Sequence, residues 1–273
     1  MLGSILMRRM SDDLRYQVYG TLRDRKKKDF YSPELHDYLY TGVDTDVEQS
    51  IKHTIEDVSP DVVINAVGLI KQLRASNDPI AMLRINSLFP HVLHTYCRAN
   101  DSRLIHISTD CVFDGLKGGY KESDRVNADD LYGRTKFLGE VTSDDALTIR
   151  TSIVGPEFGS SNGLLEWFLS QQGSIKGFRK AVFSGLPTVE VADVIRNLIL
   201  PSNVRSGLFH LASQPINKFE LLNLFSEVYS KKIDIKCSDE LVIDRSLNAE
   251  KFCDVFNYNP PDWEKLCRKM YGY

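Results

Sequence analysis

Several large protein classes are excluded by what this sequence lacks. No run is long and apolar enough to span a bilayer. The short apolar start is followed by Arg8 and Arg9, the reverse of the order in a secretory signal. An excess of one charge is missing too: 34 Lys and Arg against 37 Asp and Glu leave a formal net charge of -3, so there is no electrostatic footprint for nucleic acid. The basic run at 23–28 suits a solvated loop as well as any function. The 5 cysteines (Cys97, Cys111, Cys237, Cys253 and Cys267) are scattered, odd in number and without CxxC spacing. They fit a reduced, cytoplasmic protein rather than a disulfide framework. No internal repeat or low-complexity linker is visible, and no ligand cluster commits to a metal.

What is present is an alternation of apolar runs with helical spacing. Residues 16–22, 61–67, 104–108 and 147–152 read as strands, and 47–58, 80–99 and 131–141 as helices. This βαβα order predicts a Rossmann-like, doubly wound parallel sheet with helices on both faces. Beyond about residue 155 the pattern loosens into short strands (181–184, 208–211, 233–235) and helices (190–199, 218–229). The expected division is a dinucleotide-binding domain at 1–155 and a smaller substrate lobe at 156–273, interleaved with the end of the main sheet.

Such a sheet normally opens with a strand, a glycine-rich turn and a helix whose N-terminus receives a pyrophosphate. Here Met1-Leu2-Gly3-Ser4 looks like the tail of that turn, with the first strand and the earlier glycines missing. The expectation is that the functional protein starts about ten residues upstream. The plainer alternative is that Gly3 sits in a disordered end.

Ligands bind at the C-terminal ends of parallel strands. Asn65-Ala66-Val67-Gly68, Ser108-Thr109-Asp110 and Arg150-Thr151-Ser152 are each expected on that rim. The first either brings backbone beside a cofactor or is a plain strand end with a turn glycine. Tyr132 and Lys136 follow, four apart and so on one helix face. A free tyrosine titrates near ~10, and a cation beside it favours the phenolate. That pair, with a hydroxyl from a strand end, suits proton transfer to a carbonyl while hydride moves at carbon. Thr109 either polarises that carbonyl or caps the following turn, and Asp110 either caps or touches substrate. His106, Trp167, Phe168 and Trp263 read as core, and Asn86 as a tie between its helix and the active-site strand.

Taken together, these residues resemble the extended short-chain dehydrogenase/reductase superfamily, and within it the dTDP-4-dehydrorhamnose reductase family. The resemblance covers nearly the whole chain. It rests on His106-Ile107-Ser108-Thr109-Asp110-Cys111-Val112-Phe113-Asp114-Gly115, on Gly119-Tyr120-Lys121-Glu122-Ser123-Asp124, and on Asp130-Leu131-Tyr132-Gly133-Arg134-Thr135-Lys136-Phe137-Leu138-Gly139-Glu140. Arg150-Thr151-Ser152 and Arg245-Ser246-Leu247-Asn248-Ala249-Glu250-Lys251-Phe252 match as well.

The resemblance implies reduction of the 4-keto group of a nucleotide-linked 6-deoxyhexose for surface polysaccharide, with NADPH or NADH. It implies that Thr109 polarises the keto oxygen, that Tyr132 donates the proton, and that Lys136 holds the nicotinamide ribose and keeps the tyrosine acidic. Cofactor contacts are expected at Leu2, Gly3, Thr21, Arg23, Asp44, Asn65, Ala66, Val67, Gly68, Tyr132 and Lys136. Thr21 and Arg23 favour NADPH through its 2′-phosphate, with Asp24 competing for the ribose and Asp44 beside the adenine. Substrate contacts are expected at Lys71, Asp110, Cys111, Ser152 and Asn162, with Lys71 either pairing with a phosphate or solvated, and the Ser160-Ser161-Asn162-Gly163 stretch also capping the next helix. Cys111 and Ile153 stand where the family usually has aromatic residues, which leaves the sugar open. Two other readings share the scaffold. One is a non-catalytic NADP-binding regulatory subunit like the methionine adenosyltransferase β-subunit, and the other a nucleotide-sugar epimerase. A homodimer through the C-terminal lobe is a further option.

Overall fold

The computed structural model describes residues 1–71, 78–157 and 162–273. Its centre is a parallel sheet of β3 (Val62–Asn65), β4 (Arg103–Thr109), β5 (Ala146–Thr151) and β10 (Gly207–His210), in the order β10-β5-β4-β3. β5 is buried along its whole length, and β4 at all but one position. That is why their sequences read as apolar runs rather than alternating ones: helices cover both faces. Adjacent residues of β4 point to opposite faces. Leu104 meets Ile51 and Ile55 of α2 (Glu48–Val58) and Leu93 of α4 (Phe89–Ala99), while Ile105 joins the larger core on the other side.

β1 (Gly20–Leu22) and β2 (Leu39–Thr41) form a separate parallel pair. Among the described residues no ladder joins β1 to β3. The break falls where a doubly wound order places its first strand. The expected strand at 16–22 is shorter, because Tyr16 turns away: its N–H donates to the Asp13 carbonyl and its hydroxyl to the Arg196 carbonyl at 2.9 Å.

α1 (Leu2–Ser11) buries Leu2, Ile5, Leu6 and Met10 and packs on α7 (Thr188–Val194). Arg9 grips Asp193 with two nitrogens, at 3.1 and 2.8 Å. The later part of the chain adds β6 (Ile153–Val154), α6 (Leu164–Ser170), β7 (Ser174–Phe178), β8 (Ala181–Phe183), β9 (Leu186–Pro187), β11 (Ile216–Asn217), α8 (Lys218–Val228), β12 (Asp234–Ser238) and β13 (Ile243–Asp244). These pair as β11-β8-β13, β12-β7 and β6-β9. α9 (Glu250–Phe256) and α10 (Trp263–Tyr271) close the chain; Phe168 and Trp263 are core as expected, whereas Trp167, also expected there, is exposed because it lies on the opposite side of α6 from the buried Leu165 and Phe168.

The helix expected at 80–99 comes in three parts: α3 (Pro79–Met82), a π turn (Leu83–Leu88) and α4. Pro90 has no N–H to offer the carbonyl of Asn86 four residues back, so the helix widens there. α5 (Leu131–Leu138) stops short of 141 at Gly139. A β-carbon on Gly139 would lie 1.9 Å from the same Asn86 carbonyl, so the end of α5 and the π turn lie in direct contact.

Candidate active site

Thr109 ends β4 and caps the turn Asp110–Val112. Its hydroxyl accepts from the Cys111 N–H at 3.1 Å and donates to the Asp110 carboxylate at 3.1 Å. The capping role is therefore real. It also fixes the hydroxyl near Tyr132, where it acts on the phenol. Tyr132 comes from the first turn of α5, capped by Asp130, whose carboxylate accepts from the Gly133 N–H at 2.8 Å. Gly133 lets that turn lie against the strand end, since a β-carbon there would meet the Cys111 carbonyl at 2.1 Å.

The expected acidification of Tyr132 by Lys136 is not what this arrangement produces. Burial, then the neighbouring Cys111, push the phenol above its ordinary value, and the Thr109 hydroxyl opposes them. Lys136 is itself buried, its ammonium donating to the Ile107 carbonyl at 2.8 Å. Burial pushes it down to about 8, with Glu140 pulling the other way. The two side chains share a helix, but desolvation is the largest influence on each.

The cofactor candidates meet in part. A β-carbon on Gly3 would touch Ala66 at 3.8 Å, and one on Gly68 would lie 3.9 Å from the Lys136 ammonium. The loop between is held at both ends. The Asn65 amide oxygen accepts from the Val67 N–H at 3.0 Å, and Asn86 exchanges hydrogen bonds with the N–H and carbonyl of Leu69 at 2.8 and 3.0 Å. Asn86 is thus the expected tie. Leu2 buries its side chain in the core, which leaves its backbone alone to face a ligand. Thr21 and Arg23 are exposed. The competing Asp24 is engaged locally, accepting from the Lys26 N–H at 2.9 Å, and Asp44 likewise accepts from the Asp46 N–H at 3.1 Å.

A cavity of about 400 Å³ opens at the strand ends, with Asp110, Cys111 and Ser152 in its wall. Three of the five substrate candidates are thereby brought together. Burial raises the Asp110 carboxyl and pushes the Cys111 thiol up to about 12, so Cys111 lines the site as a neutral thiol. Lys71 bridges to Asp130 at 2.5 Å, with its ammonium 5.4 Å from the Tyr132 ring centre. Asn162 is not in the cavity wall, and its N–H donates to Glu157 at 3.0 Å. Gln72, Ser160 and Ser161 lie outside the described residues.

Arg150 lies at the end of β5 as expected, but its side chain is committed to an ion pair. In the β4–β5 register Ser108 pairs with Arg150 and Thr109 with Thr151. Ser108 and Arg150 share the face turned to Glu140, which accepts from both, with Arg150 binding bidentately at 2.7 Å. His106 is the core histidine expected: Asn65 Nδ2 donates to its Nδ1 at 3.1 Å, and burial pushes it well below its ordinary value. Residue-by-residue reading missed Lys218, Phe178, Phe183 and Leu241, all in the cavity wall and far from any motif. The Asn217 cap ahead of an apolar helix was the one local signal for Lys218.

The family described as the RmlD substrate binding domain matches residues 1–238. The chain belongs to this family. A curated relative of the RmlD substrate binding domain chain is dTDP-4-dehydrorhamnose reductase of Aggregatibacter actinomycetemcomitans, 23% identical over 260 residues, covering 86% of this chain and 88% of the relative. A solved structure described as a hypothetical dTDP-4-dehydrorhamnose reductase from Sulfolobus tokodaii is 26% identical, with a TM-score of 0.78 over 96% of this chain and 94% of that one. That of Bacillus anthracis dTDP-4-dehydrorhamnose reductase in complex with NADP is 16% identical, with a TM-score of 0.75 over 93% and 99% of the two chains. At that identity the likeness speaks for the Rossmann-like fold alone. No described helix is long and apolar enough to cross a membrane.

Proposed function

We propose that this protein is a reductase of the 4-keto group of a nucleotide-linked 6-deoxyhexose, using NADPH, with NADH as the alternative, and supplying sugar for surface polysaccharide. The observation that carries the reading is that the end of β4, with Thr109, and the first turn of α5, with Tyr132, meet beside a cavity walled by Asp110, Cys111 and Ser152. The names of the relatives support it.

The residues present fit a nicotinamide dinucleotide. Gly3 at the start of α1 lies against Ala66, and Gly68 against Lys136, so backbone and ammonium are offered along one path. Lys136 would hold the nicotinamide ribose with donors not spent on Ile107. When bound, the cofactor supplies hydride to the carbonyl carbon.

The chain's own residues handle the oxygen. Because burial holds the phenol above its ordinary value, Tyr132 is protonated at neutral pH, the form a proton donor needs. Tyr132 donates toward the carbonyl oxygen, and Thr109 joins it by turning its single O–H from Asp110 to that oxygen, so that both stabilise the alkoxide as it forms. The alkoxide is the stronger base and takes the phenolic proton. Acid–base assistance of this kind is worth ~10²–10⁴-fold. Lys71 and Asp130 neutralise each other beside the ring, which keeps net charge away from the proton donor.

The test is turnover of a 4-keto-6-deoxy nucleotide sugar by the full chain, followed as loss of the NADPH absorbance. Oxidation with one equivalent of 4-hydroxy product supports the reductase. NADPH binding without oxidation points to the regulatory subunit, and a dinucleotide retained through purification and cycling points to the epimerase.

A further inference from the structure

Lys218 carries a charge that the reaction above does not use. It opens α8 directly after Asn217, whose side chain accepts from the Glu220 N–H at 2.9 Å. Its ammonium lies 3.6 Å from the ring centre of Phe183, and both side chains wall the cavity. The other two cations of that wall have partners: Lys176 pairs with Glu240 at 2.7 Å, and Arg245 donates to the Phe113 carbonyl at 2.9 Å. Among the described residues, Lys218 has neither an ion pair nor a hydrogen bond.

Removing an ammonium from water without pairing it is costly. The cost shows as burial pushing Lys218 down to about 8, against the pull of Asp110 and Cys111. The first turn of α8 adds the positive end of its dipole at the same place, and Leu222 of that helix also reaches the cavity wall. An unpaired cation thus lines one empty volume, and the start of the helix that carries it adds to the same positive field.

We propose that Lys218 anchors the diphosphate of the nucleotide sugar. This rests on the reading that the substrate is a nucleotide-linked sugar. The choice of a diphosphate follows from where Lys218 stands. It shares the cavity wall with Asp110 and Cys111 at the strand ends, and it lies on the aromatic ring of Phe183, in a wall that includes Trp167 and Phe178. A nucleotide sugar has the same order of chemistry: a polar ring to be reduced, a charged linker, and a flat base suited to aromatic and apolar side chains. An ammonium reaching both kinds of wall meets the linker. A charge-assisted hydrogen bond there sets the distance from base to keto group, so Lys218 also positions the sugar.

The test is calorimetric titration of the NADP⁺-loaded protein with dTDP, UDP and thymidine. For Lys218→Met we expect dTDP to bind ~10–100-fold more weakly, with thymidine changed less than about twofold. Lys218→Arg should recover most of the loss. Melting temperature and NADP⁺ affinity serve as folding controls, and Lys218→Gln is the second variant if Lys218→Met does not fold. Equal dTDP affinity in wild type and a folded variant overturns the anchor and leaves the reductase reading standing. Parallel loss of thymidine and dTDP marks a structural role and overturns it as well. Wild-type protein that takes NADP⁺ but neither dTDP nor UDP overturns the anchor together with the nucleotide-sugar reading.

Discussion

Gly133 lies so close to the backbone of Cys111 that a β-carbon on it would sit 2.1 Å from the Cys111 carbonyl oxygen. This contact joins the helix that carries the phenol to the strand end that carries the hydroxyl. Replacing Gly133 by Ala forces α5 away from that turn. We expect a stability loss of about 1–3 kcal/mol, as for other overpacked sites. Turnover should fall more steeply than stability accounts for, because Tyr132 moves with the helix. Thermal melts beside kcat/KM check this, and a variant that melts lower yet keeps wild-type kcat/KM would show that the contact does not position Tyr132.

Tyr132→Phe removes one hydroxyl and leaves the ring beneath Lys71. Turnover is expected to fall by ~10²–10⁴-fold. NADPH affinity should change by less than about threefold, since Lys136 keeps its bond to Ile107. Stopped-flow reduction and fluorescence titration of NADPH separate the two effects. Full activity in the variant would remove Tyr132 from the reaction.

Arg23 is exposed beyond β1, while the nearby Asp24 is committed to the Lys26 N–H. If Arg23 meets the 2′-phosphate, Arg23→Ala should lower the preference for NADPH over NADH by about 5–10-fold, the scale of one exposed charge contact. The ratio of kcat/KM for the two cofactors measures it, and an unchanged ratio assigns the preference elsewhere.

His210 makes folding stability depend on pH. Burial, then the Arg150 guanidinium, push it down to about 4. Tyr120 accepts from Nδ1 at 3.0 Å, and Nε2 faces Arg150 Nη1 at 3.3 Å, so the ring is held neutral with its free lone pair toward a cation. Between about pH 6.5 and about 4 the unfolded chain binds a proton that the folded ring does not. Stability is therefore full above that window and falls as pH drops through it. The loss attributable to this ring is of the order of 3 kcal/mol. His106, pushed down by burial, adds in the same direction. Denaturant unfolding at neutral and acid pH should show a shallower slope for His210→Gln; an equal slope would place the proton uptake elsewhere.

Legibility in the sequence followed the range of the interaction. The strands around 104–108 and 147–152 were evident because a sheet covered on both faces demands unbroken apolar runs. Tyr132, Lys136 and Thr109 were evident because helix spacing and a strand end are local facts. Arg150 ends β5 as expected, but that its side chain is spent on Glu140 was not legible, because Glu140 reaches it from beyond the end of α5. The expected acidic phenol failed for a related reason. Proximity in a helix is local, but desolvation depends on everything packed around it.

The sequence by itself determined the sheet class, the helix bearing the phenol and lysine, and the family resemblance, because each rests on residues a few positions apart. Only the tertiary structure decided that Gly133 seats α5 on Cys111, that Lys71 bridges Asp130, and that Lys218 arrives unpaired beside Asp110 and Cys111. Chain crossings decide which distant charges meet, and burial decides what each charge costs; neither is written in local spacing.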